Sequence, residues 1–366
     1  MMLAQVGFVP TLYGGRQAEI HTSLCSSRRR ARVAEVRARP AVRLLRATSG
    51  TAANVAIGVR SFPNEEVENL QPPERRKRRG MMQHKREAFW FYRWLSFFYD
   101  VVVNPFHWTR EMRDEALLRA QLDSPCLRVV DVGGGTGFST LGIVRYVAAR
   151  YVVLMDQSAA QMSYAAQKRE LSGVTFIEGD AENIPIRTNY ADRYVSCGSI
   201  EYWPNPQQGI GEAYRILKPG GLACMVGPVR ATNPLSRFFC DTWMLFPTEQ
   251  EYIYWFAAAG FRNIKVSEIT PAAYKGVRRH GLIMGLVVTG EKPLNGPDLP
   301  LTMEDRVYGA LDDWEQTRSS ALNLGQRIKF VLRQMLGTVA GFYYFVLPIA
   351  IMLYAALFIR RKPAAQ

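Results

Sequence analysis

The chain has 366 residues, 46 Lys and Arg against 32 Asp and Glu, a net charge of +14 and five cysteines. That length accommodates one domain of about 200 residues with appendages. The charge excludes duplex nucleic-acid binding as a function: residues 1–50 hold nine Arg, no Lys and two Glu, and Arg75-Arg76-Lys77-Arg78-Arg79 adds five more cations, so the rest of the chain lacks a basic face. Cys25, Cys126, Cys197, Cys224 and Cys240 show neither C-x-x-C spacing nor paired histidines, so neither a metal site nor a disulfide framework is indicated and free thiols are expected.

In chain order, residues 1–60 are Arg-rich, acid-poor and supplied with Ser, Thr and Ala, without a seven-residue apolar core. This is the pattern of an organellar transit peptide, not of a secretory signal. Residues 61–106 carry the basic block and then, over 89–99, eight aromatics in eleven residues. Such a segment either packs in a core or lines a path for a long apolar chain or a bilayer interface.

The most informative run follows. An apolar strand, Val129-Val130-Asp131-Val132, leads into Gly133-Gly134-Gly135-Thr136-Gly137 and a helix predicted to begin near Phe138. Glycine serves there because the turn needs positive φ and lets backbone approach a ligand. A strand, a glycine-rich turn and a helix make a nucleotide-type site at the carboxyl edge of a parallel sheet. The spacing is not G-x-G-x-x-G, and the acid inside the strand end suits a ligand with a cationic amino-acid tail instead of a pyrophosphate. S-adenosylmethionine (SAM) is such a ligand.

Later acids support this reading. A second apolar strand over 151–156 ends on Asp156, 25 residues after Asp131, where a carboxylate can take both ribose hydroxyls. A third, over 174–181, places Asp180 and the Ala181 amide to read an adenine edge. A fourth, over 194–200, opens toward Glu201-Tyr202-Trp203. Residues 215–221 are read as closing a helix, with a fifth strand over 222–226. A helix over 249–259 is stopped by Gly260, and strands over 263–268 and 282–289 come last, the final one antiparallel.

From 336 to 359 the chain runs 24 residues without a charge, including Tyr343, Tyr344, Pro348 and Tyr354. At about 1.5 Å per residue this would cross a hydrocarbon layer of roughly 30 Å. Arg327, Lys329 and Arg333 precede it, and Arg360, Arg361 and Lys362 follow. The balance fixes no orientation. A single-pass C-terminal transmembrane helix is expected, with 294–326 as linker and 327–366 as anchor.

Asp131, Gly133, Gly135 and Gly137, with the turn Leu217-Lys218-Pro219-Gly220-Gly221, resemble the first motif and post-helix turn of the class I SAM-dependent methyltransferases. The resemblance tightens over 190–196, 198–204, 243–247 and 274–285. There the chain is similar to the plastid inner-envelope methyltransferases acting on 2-methyl-6-phytyl- and 2-methyl-6-solanesyl-hydroquinone. It runs from about residue 86 to 293.

The resemblance implies an α/β fold with a Rossmann-like, seven-stranded, mostly parallel sheet over 107–293, and a helical lid over 61–106. It implies a chloroplast inner-envelope address and C-methylation of prenylated hydroquinones in tocopherol and plastoquinone synthesis. SAM is the donor and no metal takes part; the partners are the hydroquinone and the membrane. By matching position, Asp131, Gly133, Gly135 and Gly137 hold the methionine end, Asp156 and Gln157 the ribose, and Asp180 and Ala181 the adenine. Ser199 or Glu201 contacts the methionyl group.

Ring methylation needs a phenolic proton removed, and His280 is the preferred base because its ordinary pKa lies near neutrality. Glu201 and Tyr202 are rivals, and Asp241 a weaker one. Two other readings stay open: a sterol or a ubiquinone- or menaquinone-type quinol as acceptor, or a docking protein with a vestigial SAM fold. Intact acids at 131, 156 and 180 argue against the last.

Overall fold

The computed structural model describes residues 59–68, 70, 72, 81, 90, 109–269, 284–301 and 322–358, all within the unit Ala56–Gln366. The leader over 1–58, the aromatic run apart from Trp90, and His280 lie outside the described residues. Numbered in chain order, the described strands are β1 Arg60–Ser61, β2 Val129–Val132, β3 Val152–Asp156, β4 Thr175–Glu178, β5 Ala191–Cys197, β6 Leu217–Val229, β7 Arg262–Ile269 and β8 Met284–Glu291. The helices are α1 Asn64–Glu68, α2 Arg110–Arg119, α3 Phe138–Ile143, α4 Ala159–Ala166, α5 Pro206–Ile216, α6 Pro234–Trp243, α7 Glu249–Ala259 and α8 Leu324–Phe358.

They form one sheet in the order β1-β7-β8-β6-β5-β2-β3-β4. Strands β4, β3, β2, β5 and β6 are mutually parallel, while β8 runs antiparallel to both β6 and β7. After the edge strand β1, the chain enters the centre of the sheet at β2, winds outward through β3 and β4, then crosses back to β5. Strand order therefore reverses between β2 and β5, which is where an open α/β sheet holds its ligands.

Both faces of this sheet are covered, so its central strands read as continuous apolar runs instead of alternating ones. All four residues of β2 are buried. Val130 and Val132 join a cluster with Tyr252 and Phe256 of α7, whereas Val129 joins the opposite one with Ala116 and Leu117 of α2. Each such side chain contributes about 1.5–3 kcal/mol on burial.

Several strand bounds shift by a few residues from the sequence reading, and two details of the sheet depart further. The sheet has eight described strands, because the short β1 pairs antiparallel with the edge strand β7. Strand β6 also begins at Leu217, not Leu222. Leu217 already pairs with Ala191, and the ladder resumes at Leu222 opposite Arg193, so the intervening residues form a bulge where a helix closure was expected. Helix α7 matches its expected bounds. Thr248 and Glu251 form a capping box at its start, and Gly260 ends it at φ 104°.

The expected C-terminal transmembrane helix is corrected. Among the described residues no helix is long and apolar enough to cross a membrane. Helix α8 carries Gln326, Arg327, Lys329, Arg333 and Gln334 in its first turns, and its middle seats on α6. The Tyr343 ring stacks on Phe239 with centroids 4.3 Å apart, and its hydroxyl lies 2.9 Å from Ser236 Oγ. Ala340 is buried and Gly341 lies against Trp243. Cys197, Cys224 and Cys240 carry free thiols.

Candidate active site

The glycine turn after β2 is fastened to the neighbouring strand. The Gly133 and Gly134 amides both donate to the Met155 carbonyl, at 2.8 and 3.2 Å. Gly133 and Gly135 adopt φ of 71° and 54°. A Cβ on Gly133 would lie 2.4 Å from Ser199 Cβ, and one on Gly135 would lie 2.4 Å from Gln161 Oε1. The turn thus forms a backbone cradle that side chains would fill, opening on a pocket at the switch point.

The acids around it play different parts. Asp131 is fully buried beneath the turn, and its Oδ2 accepts the Ser139 and Thr140 hydroxyls at 2.6 and 2.7 Å. It ties α3 to β2 and lies outside the pocket wall, while Oδ1 has no partner. Burial pushes its pKa up to about 6. Asp156 does stand in the wall. Its Oδ2 accepts the Gly135 amide at 2.9 Å and its Oδ1 the Ser158 amide at 2.8 Å, and burial raises it also to about 6.

Asp180 and Ala181 line the pocket from the loop after β4. That loop is held from below by a buried ion pair on α5. Arg215 donates to both oxygens of Glu212 at 2.7 Å, and to the carbonyls of Ile184 and Ile186 at 2.8 Å. The Ile184 amide in turn donates to Glu212 Oε2 at 2.6 Å. Burial raises the Glu212 carboxyl above its ordinary value.

Gly133, Gly135, Gln157, Ser199 and Tyr202 also come together in the wall. Ser199 Oγ lies 2.7 Å from Ser196 Oγ. Gly137 does not line the pocket; it stands at the start of α3. Glu201 is not in the wall; it is 3% exposed, with Oε2 unpartnered, and burial pushes it up to about 8. Asp241 is paired with Arg230, which removes it as a free base.

Among the wall residues that the sequence reading did not assign are Arg113 and Gln161. Gln161 sits in the first turn of α4, directly after the Asp156 strand, and that position was the available signal. Its Nε2 is buried without a partner. Arg113 precedes every motif and had none. Two carboxylates, one guanidinium, an unpartnered amide and a glycine cradle fit a nucleoside bearing an amino-acid tail.

The methyltransferase-domain family matches residues 130–225. The 2-methyl-6-phytyl-1,4-hydroquinone methyltransferase 2, chloroplastic, of Oryza sativa subsp. japonica is 56% identical over 268 residues, covering 73% of this chain and 74% of that one. The Arabidopsis thaliana 2-methyl-6-phytyl-1,4-hydroquinone methyltransferase, chloroplastic, is 54% identical over 268 residues, 73% of this chain and 76% of its own. The ubiquinone/menaquinone biosynthesis C-methyltransferase UbiE of Rhizobium meliloti (strain 1021) is 31% identical over 121 residues, 32% of this chain and 47% of its own.

Proposed function

The chain belongs to the 2-methyl-6-phytyl-1,4-hydroquinone methyltransferases, and from that premise we propose that it methylates a ring carbon of 2-methyl-6-phytyl- and 2-methyl-6-solanesyl-1,4-benzoquinol. It is a SAM-dependent methyltransferase. The products would serve tocopherol and plastoquinone synthesis. The chain is chloroplastic, as its relatives are, and the inner envelope membrane is its proposed place, where a prenylated substrate resides. The supporting observation is extent. Similarity to the hydroquinone enzymes covers 73% of the chain, against 32% for the ubiquinone/menaquinone enzyme.

SAM supplies an electrophilic methyl group on a sulfonium, so the protein's work is to orient and to take a proton. Asp156 and Gln157 are assigned to the ribose, Asp180 and Ala181 to the adenine, and Gly133, Gly135 and Ser199 to the methionine end. Asp131 and Gly137 support the turn from outside the wall. Tyr202 and Trp203 form the side from which an acceptor ring would approach. A positioned base contributes on the order of 10²–10⁴-fold to such a step. We assign the phenolic proton to Glu201, ahead of Tyr202 and His280, because it directly precedes Tyr202 in the chain and its carboxyl is buried with an unpartnered oxygen.

The test gives the full chain, in detergent, labelled SAM with a panel of lipid quinols and a sterol. Ring methylation of the two prenylated hydroquinones is expected. Transfer only to a ubiquinone- or menaquinone-type quinol or to the sterol would overturn the acceptor and keep the chemistry. SAM binding without any transfer would favour a docking role.

A further inference from the structure

Arg113 is the one cation among the described residues of the pocket wall, which also carries Asp156 and Asp180. It projects from α2, before any of the motifs, with its side chain 9% exposed. Its guanidinium is held on three sides. Nε and Nη2 donate to Asp114 Oδ1 at 2.8 and 2.7 Å, Nη1 donates to the Phe138 carbonyl at 3.1 Å, and the Phe138 ring lies below it, 5.0 Å to the centroid. A guanidinium has five N–H donors, so two remain. Asp114 does not cancel the charge, because its other oxygen accepts Arg145 Nη1 at 2.8 Å. Two guanidiniums share one carboxylate, leaving one net positive charge beside the glycine turn.

We propose that Arg113 anchors the carboxylate of the donor's methionine tail through its two remaining N–H groups. SAM carries a single carboxylate, at the end of the molecule assigned to Gly133 and Gly135. A planar fork suits a carboxylate better than a point charge does, and a largely desolvated one binds it strongly. Phe138 and Asp114 fix the fork before ligand arrives, so little rotamer freedom is lost on binding. The contact rests on the SAM reading of the pocket and is independent of which ring accepts the methyl group.

The test is calorimetry on the full chain with two ligands, SAM and decarboxylated SAM, which differ only in this carboxylate. The wild-type chain is expected to prefer SAM. Arg113→Gln should weaken SAM by about 10–100-fold, the range of a charge-assisted hydrogen bond, while decarboxylated SAM stays within about twofold, so that the preference disappears. Arg113→Lys should restore part of it. Equal weakening of both ligands, or of neither, overturns the assignment. So does a wild-type chain without preference, a result that needs no variant to fold. Failure of the wild-type chain to bind either ligand would overturn the donor reading along with it.

Discussion

Asp156 and Glu201 stand at the carboxyl ends of the sheet, and burial shifts both upward with different consequences. Asp156 accepts the Gly135 and Ser158 amides, so it shapes the cradle as well as facing the ribose position. Asp156→Ala should weaken SAM by about 1–3 kcal/mol through lost charge-assisted hydrogen bonds, read by calorimetry; an unchanged affinity would remove the ribose assignment. Glu201 is raised from 4.5 to about 8, so its ionised, proton-accepting form grows as pH rises through 8. Methyl transfer should show an acid limb with its midpoint near 8 and a plateau above. Glu201→Gln should abolish that limb, and an unaltered profile would return the role to Tyr202 or His280. Stability runs the other way. Between 4.5 and 8 the folded state holds this proton and the unfolded state has released it, so stability present below 4.5 is lost as pH rises through 8. Thermal melting should therefore fall with pH across that window in the wild type, and less steeply in Glu201→Gln.

Helix α5 acts on the site through the loop it holds. The Glu212–Arg215 pair bonds Ile184 at both its amide and its carbonyl, and Asp180 lies four residues upstream. Glu212→Gln leaves a buried guanidinium without its counterion, a change that costs about 3–5 kcal/mol. Calorimetric melting should drop accordingly, and SAM affinity should fall as the adenine loop loosens; Arg215→Lys, which keeps the charge but not the fork, should lie between. An affinity unchanged despite the lower melting point would confine the pair to stability. How far such elements could be read in the sequence follows from how local their causes are. The bounds of α7 were legible because Thr248, Glu251 and Gly260 lie within the segment they delimit. The start of β6 was not, because Lys218-Pro219-Gly220-Gly221 resembles a helix stop and only pairing with Ala191 makes Leu217 part of the ladder. In the site, Gly133, Gly135, Asp156 and Asp180 follow from strand ends and turn chemistry. Arg113 and Gln161 join them only when α2 and α4 pack against the sheet.

At the scale of the molecule, the reversal of strand order between β2 and β5 brings residues from 113 to 226 into one pocket, while α8 lies apart from it. The uncharged run over 336–359 had the length of a membrane span, but length and hydropathy do not register what a helix face touches. The contacts of Tyr343, Ala340 and Gly341 turn part of that face toward α6. Gly341 is the sharpest probe of this packing, because a Cβ there would lie 2.9 Å from Trp243 Cε2, with two further indole atoms within 3.2 Å. Trp243 is itself buried and packs toward Phe246, so it has little room to yield. Gly341→Leu overpacks the contact, and such insertions cost about 1–3 kcal/mol. The variant should melt several degrees lower and be cut faster by protease within α8. SAM affinity should stay within about twofold of wild type, since α8 contributes nothing to the described pocket wall. Tyr343→Phe, which removes only the hydroxyl facing Ser236, should cost about 0.5–1.5 kcal/mol by the same assays. If both variants melt with the wild type, α8 does not rest on α6; if Gly341→Leu also abolishes SAM binding, the helix supports the site through contacts beyond those described.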